Sequence, residues 1–264
     1  MTIRPLGPLP LDAPIPGSSF TSLLESLGSK PSWSLPKGHD APKAPEGTTV
    51  LSLRYQGGVV IAGDRRATEG NLVAHKRIRK VFPADRFSAV AIAGIAGLAI
   101  EMVKLFQVEL EHYEKIEGVG LSLEGKASFL ARLVRNQLPL AMQGLVVVPL
   151  FAGYDPRDGE SSLYTFDVVG GRYEEIDFGS TGSGARLAKS FMRTEYRDDV
   201  DAAGATQLAV RALVAASRED TATGGPDIQN GILPNVILID ADGVRELEDS
   251  EVLPHAEEAL ESIR

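Results

Sequence analysis

The rhythm of apolar and polar positions changes several times along the chain, and each change marks a predicted element. From Thr49 to Tyr55 the period is two, Gln56-Gly57-Gly58 reads as a turn, and Val59 to Gly63 runs back as a second strand. Leu72 to Ala74 and Ile78 to Phe82 read as a second hairpin. Phe87 to Ala93 is almost wholly apolar, as expected of a strand covered on both faces, and it ends at Gly94. The period then becomes helical. One helix is predicted from Ala96 to about Ile116, with Leu98, Met102, Leu105 and Phe106 on its apolar face. A second runs from about Leu123 to Met142, striped by Ala127, Leu130, Ala131, Val134 and Leu138. Strands return at Leu145 to Tyr154, Ser161 to Val168 and Arg172 to Asp177.

Gly179-Ser180-Thr181-Gly182-Ser183-Gly184 reads as a glycine-rich joint into a third helix, ending near Tyr196. A fourth helix spans roughly Ala202 to Arg218. Val236 to Asp240 and Val244 to Leu247 form a hairpin over Ala241-Asp242-Gly243, and Glu251 to Arg264 reads as a polar tail or frayed helix. The order is strands, two helices, strands, two helices, strands. It predicts an α+β fold of two antiparallel sheets packed face to face with helix pairs outside, a four-layer αββα sandwich.

Residues 1–47 differ in character. Pro5, Pro8, Pro10, Pro14, Pro16, Pro31, Pro36, Pro42 and Pro45 fall here, more than half of the chain's 16 prolines, and such a run favours extended, poorly packed backbone. Within it Phe20, Leu23, Leu24 and Leu27 recur at helical spacing behind Ser18 and Ser19, so one short amphipathic helix is expected, ending near Gly28. With Trp33 it forms a segment suited to docking, for example on a neighbouring subunit.

Composition narrows the function. A chain of 264 residues fits one large domain or two small ones. A net charge of −9 argues against a nucleic-acid surface. Without cysteine there is neither a disulfide framework nor thiol chemistry, which fits a cytoplasmic location. No apolar run is long enough to span a bilayer, and no basic n-region leads into an apolar h-region, so no secretory signal is expected. The four histidines are scattered without ligand spacing, so no metal site or cofactor is expected.

The candidate chemistry begins at Glu46-Gly47-Thr48-Thr49-Val50, where the Pro-rich segment gives way to strand. A Gly-Thr junction at such a boundary suits a cleavage that exposes an N-terminal threonine. That residue carries a hydroxyl nucleophile and, on the same Cα, an amine able to act as its base. Asp64 ends the strand paired with the first, and Lys80 lies in the next strand region. A lysine held by a carboxylate beside a hydroxyl lowers the pKa of its neighbours. Gly94 ends the buried strand and offers a backbone N–H to an oxyanion. Singly, each has an ordinary structural reading: turn residue, solvated lysine, strand-to-helix junction.

Together these residues resemble a family. The chain from Gly47 onward is similar to the catalytic β subunits of the 20S proteasome, the actinobacterial branch in particular. The resemblance rests on Gly47-Thr48-Thr49-Val50, Ala62-Gly63-Asp64-Arg65-Arg66-Ala67-Thr68, Lys80, Ala93-Gly94, Gly182-Ser183-Gly184, and Asp220 with Thr223-Gly224-Gly225-Pro226-Asp227. It implies the N-terminal-nucleophile (Ntn) hydrolase fold. It also implies a propeptide over 1–47, autocleavage between Gly47 and Thr48, and a catalytic domain over 48–264. Thr48 would be nucleophile and its freed amine the base. Asp64 and Lys80 would be the charged support, Gly94 the oxyanion donor, and Ser183, Asp220 and Thr223 the hydrogen-bonding groups around amine and hydroxyl. Thr223 departs from the family, where many members have serine. Thr68 and the Gly94 backbone would line a groove that takes substrate as an added strand. Ala67, Ile78, Phe82, Ile92, Ala96 and Ile100 would line an apolar S1 pocket. The implied assembly is a homo-heptameric β ring stacked on itself, capped by α-subunit rings, and fed tagged proteins by a ring-shaped ATPase.

Three rivals stay open at this point. Gly179 and Gly184 have the spacing of a phosphate-binding loop, but Ala185-Arg186 stands where Lys-Ser/Thr is required. A serine hydrolase lacks its G-x-S-x-G. A purely structural ring subunit would have no physical need for Thr48, Asp64 and Lys80 together.

Overall fold

In the computed structural model residues 47–69 and 72–263 are described, so the expected helix near residues 18–28 and Trp33 lie outside them. Two five-stranded antiparallel sheets face each other. The first has the order β10-β1-β2-β11-β12, from strands Phe178–Gly182, Thr49–Tyr55, Gly58–Gly63, Asn235–Asp240 and Gly243–Glu246. The second has the order β5-β6-β7-β8-β9, from Val81–Asp85, Ser88–Gly94, Val147–Asp155, Glu160–Phe166 and Arg172–Glu174. A two-stranded ribbon, β3 (Ala67–Glu69) and β4 (Leu72–His75), stands apart from both.

Strand periodicity explains the layering. On β2, Val59 and Ile61 enter the core between the sheets, while Val60 and Ala62 enter the core under helices α4 (Ala185–Glu195), α5 (Ala202–Glu219) and α6 (Asp249–Ser262). On β6, Ala89 and Ala91 face the other sheet, while Val90 and Ile92 face α1 (Ala96–Glu117) and α2 (Leu123–Asn136). Both faces of each sheet are thus covered, and three apolar cores result, as the αββα reading expects. Among the described residues no helix is long and apolar enough to cross a membrane.

Several expectations change. Leu72–His75 pairs with Ala67–Glu69, not with Ile78–Phe82. The strand beginning at Val81 pairs instead with β6, Val81 opposite Ala91. The helix expected to run to Met142 stops at Asn136 and restarts as the single turn α3 (Leu138–Ala141), because Pro139 cannot donate a helical N–H but fits a first turn. The glycine-rich joint read at 179–184 is strand over most of its length: Phe178–Gly182 is β10, paired with β1 from Thr49↔Gly182 to Leu53↔Phe178. Residues 249–262 form a helix with a Glu248/Glu251 capping box, anchored by buried Val252, Ala256 and Ala259.

Candidate active site

The β1–β2 register sets the first part of the site. Val50 pairs with Gly63, which brings Asp64 level with Thr49. The Asp64 N–H donates to the Thr49 carbonyl at 3.2 Å, and the Thr49 N–H returns to Asp64 Oδ1 at 2.9 Å. Asp64 Oδ2 accepts from the N–H groups of Arg66 (2.9 Å) and Gly224 (2.8 Å). The fourth partner of this fully buried carboxylate is the Lys80 ammonium, 2.6 Å from Oδ1. Lys80 reaches it from the residue before β5, where its carbonyl is held by the Ile92 N–H at 3.0 Å.

Lys80 Nζ also donates to the Arg66 carbonyl at 2.5 Å and lies 3.4 Å from the Gly47 carbonyl oxygen. Burial holds the ammonium below the ordinary lysine value; the Asp64 charge opposes that shift without cancelling it. Thr48 is nearly buried, and its hydroxyl donates to the same Gly47 oxygen at 2.8 Å. A hydroxyl and a cation therefore converge on one peptide carbonyl.

A second cluster closes the other side. The Ser183 N–H donates to the Thr48 carbonyl at 2.9 Å. Asp220 Oδ2 accepts from the hydroxyls of Ser183 and Thr223, each at 2.5 Å, and Oδ1 accepts from the Ala222 N–H at 3.1 Å. Burial pushes the Asp220 carboxyl up, but these hydrogen bonds outweigh it and hold the group below the usual carboxylate range.

On the Lys80 side of Thr48 a cavity opens, lined by Gly47, Thr48, Ala67, Ile78, Lys80, Ile92, Gly94, Ala96 and Ile100, with Ala99 and Arg79 beside them. Gly94 has φ +115, and a Cβ there would lie 2.1 Å from the Val146 carbonyl oxygen. Only glycine makes this turn from β6 into α1. Thr68 is buried against Gly47 but is not among the lining residues. Phe82 is not among the lining residues either. It faces the helices as Ile92 does, but it pairs with Val90, deeper along the strand, and packs on the α1–α2 core outside the cavity. Besides its apolar residues the wall includes the charged Lys80 and, next to it, Arg79. Its guanidinium is occupied 2.7 Å from Glu246 and stacked 5.3 Å from the Phe82 ring centroid.

Sequence reasoning passed over Thr49, whose hydroxyl joins the second cluster, and Arg66, whose backbone touches both Asp64 and Lys80 while its side chain reaches the Thr221 carbonyl. The threonine doublet was the available signal for Thr49.

Comparison with known proteins adds an independent line. The family model described as "Proteasome subunit" matches residues 44–228. The chain is 53% identical over 249 residues to a protein of Acidimicrobium ferrooxidans named "Proteasome subunit beta", covering 94% of this chain and 91% of that one. It is 49% identical over 264 residues to the protein of that name from Streptomyces griseus, covering 98% and 93%. With that of Acidothermus cellulolyticus the identity is 52% over 224 residues, covering 83% and 77%.

Proposed function

The chain belongs to the proteasome subunit family and is a β-type threonine endopeptidase; from that premise we propose how its residues act. Thr48 is the nucleophile, released when the chain cleaves itself between Gly47 and Thr48, and residues 1–47 are a propeptide. The observation that carries this reading is the shared oxygen: the Thr48 hydroxyl at 2.8 Å and the Lys80 ammonium at 3.4 Å from the Gly47 carbonyl. Attack of Thr48 Oγ1 on the Gly47 carbonyl carbon forms a C–O bond, and the charge building on the oxygen faces Lys80. The hydroxyl proton passes to the Thr48 nitrogen, and breaking the C–N bond leaves an ester and frees the Thr48 amine. Water then hydrolyses the ester.

In the mature subunit that amine takes the hydroxyl proton as substrate is attacked, and Lys80, oriented by Asp64, favours the neutral amine and the developing alkoxide. Gly94 donates its N–H to the substrate oxyanion. Ser183, Asp220 and Thr223 hold the amine side, and substrate adds as a strand along Thr68 and Gly94. A purely structural role is disfavoured, since a buried Lys–Asp pair gives a scaffold little net stability while its desolvation is costly.

The assembly belongs to the same proposal: a cytoplasmic, homo-heptameric β ring stacked on a second, capped by α-type rings and supplied with tagged proteins by a ring ATPase. Co-expression with an α-type subunit, followed by hydrolysis of a fluorogenic peptide, tests the function. Assembled rings that release no fluorophore from any peptide in a broad panel would refute it.

Gly47 supplies a further prediction. A Cβ on this residue would lie 2.4 Å from Thr68 Oγ1 and 2.5 Å from the Ala222 Cβ. Gly47→Ala is therefore expected to displace the carbonyl from Thr48 and slow processing. A displacement of about 1 Å is worth roughly a hundredfold in rate. Following precursor and mature bands over time checks this, and unchanged kinetics would contradict it.

Specificity follows from the cavity wall. Ala67, Ile78, Ile92, Ala96 and Ile100 offer apolar surface, and Arg79 is already paired. Bulky apolar residues on the acyl side of the cut are expected to be preferred. The preference is broad, because one methylene in such a pocket changes discrimination by about 1–3 kcal/mol. Peptide profiling decides it: a dominant cut after Arg or Glu overturns the pocket assignment.

A further inference from the structure

We propose that Thr49, the residue after the nucleophile, is a positioning residue that locks the two carboxylate clusters together through its amide and its hydroxyl. This rests on the reading of Thr48 given above.

Counting protons fixes the direction of every bond. Thr49 and Thr223 are fully buried, and their hydroxyl oxygens lie 2.5 Å apart. Thr49 Oγ1 accepts from the Gly184 N–H at 2.9 Å. Thr223 has one hydroxyl proton and lies 2.5 Å from Asp220 Oδ2. An ionised carboxylate only accepts, so the Thr223 proton goes to Asp220. The proton between the two threonines therefore belongs to Thr49. The series runs Gly184 N–H to Thr49 O–H to Thr223 O–H to Asp220, each member polarising the next. Ser183 spends its own hydroxyl proton on Asp220, which leaves the Thr48 carbonyl to the Ser183 N–H.

On its other side Thr49 holds Asp64 by two backbone bonds. One residue thus ties the Asp64–Lys80 pair to the Asp220–Ser183–Thr223 cluster, and Thr48 hangs from it. The joint is tight. A Cβ on Gly184 would lie 2.6 Å from Thr49 Oγ1, 2.7 Å from Thr223 Oγ1 and 3.1 Å from Asp220 Oδ2, so the three oxygens converge on a glycine with no side chain to separate them. None of these bonds involves the Gly47–Thr48 peptide. Cleavage leaves them intact, and the same frame holds Thr48 before and after its amine is freed.

Starting a strand requires only a β-branched residue here, and valine would pack as well. The hydroxyl is what the frame uses. The test is steady-state peptide hydrolysis by assembled α/β complexes carrying Thr49→Val, Thr49→Ser, Thr223→Val and the Thr49→Val/Thr223→Val pair. Thr49→Val should lower kcat about tenfold, the factor of one net hydrogen bond, and leave KM unchanged. Thr49→Ser, which keeps the hydroxyl, should restore turnover. The double variant should be no slower than Thr223→Val alone, since Thr49 acts through Thr223. Wild-type kcat in Thr49→Val, a Thr49→Ser as slow as the valine variant, or losses that multiply in the double variant would each overturn the inference. Where Thr49→Val does not assemble, Thr223→Val breaks the same series one bond later and decides on the same kcat and KM criteria. An inactive wild-type complex, by contrast, would refute the parent reading whatever the Thr49 variants do.

Discussion

A complex assembled with Thr48→Ala is expected to hydrolyse no peptide and to retain residues 1–47 on every β subunit. On the proposed reading both reactions use one hydroxyl, which lies 2.8 Å from the oxygen of the Gly47 carbonyl. Removing the nucleophile of a hydrolase costs on the order of a millionfold in turnover, so the loss is complete in any practical assay. Folding should be unaffected, because the methyl of alanine leaves only a small gap at a site on the cavity wall. Gel analysis and peptide hydrolysis of the purified complex read the two outcomes together. If Thr48→Ala is trimmed to residue 48 with no wild-type subunit present, self-cleavage is wrong. If it turns over peptide, the nucleophile is wrong as well.

Lys80→Ala should reproduce both losses without touching the hydroxyl. The ammonium lies 3.4 Å from the Gly47 oxygen, and a preorganised electrostatic contact of this kind is worth roughly a hundred- to a thousandfold. The variant strands a buried carboxylate, yet Asp64 keeps three backbone N–H donors, from Thr49, Arg66 and Gly224. Its stability cost should therefore stay at or below the ~3–5 kcal/mol of a broken buried pair, and rings should still form. Lys80→Arg should fail too. The ammonium sits among three oxygens, of Asp64, Arg66 and Gly47, at 2.6, 2.5 and 3.4 Å. A planar fork cannot occupy the place of a compact charge there. Ring assembly, processing and peptide hydrolysis should be followed for both variants. Normal processing with near-normal turnover in Lys80→Ala would mean that the charge acts elsewhere.

What the sequence made legible follows from how locally each feature is encoded. Strands buried on both faces, such as Val59–Gly63 and Ser88–Gly94, announce themselves by composition, and the sandwich follows from their order. The ribbon strand Leu72–His75 is exposed throughout, so no buried face dictated its partner and its pairing was misread. Strand β10 was hidden by its glycines; Ser180 is held there by a hydroxyl bond to the Val50 carbonyl at 2.8 Å, a contact across 130 residues. Asp64 and Lys80 were singled out at the ends of successive strand regions and by the family resemblance, and β1, β2 and β5, which bring them beside Thr48, are close in sequence. Thr49 was not, because its hydroxyl partner Thr223 is 174 residues away. Phe82 was grouped with the cavity wall, but it pairs with Val90, further along β5 than the level of Lys80 and Ile92, and packs on the α1–α2 core.

The account turns on Thr48 becoming the first residue and the reacting one. The most direct measurement is mass spectrometry of the wild-type β subunit from assembled complex, treated with a peptide carrying an electrophile at its acyl end and then digested. The expected N-terminal peptide begins at Thr48 and carries the adduct. A mature subunit that begins at any other residue, or an adduct on any residue but Thr48, would contradict it.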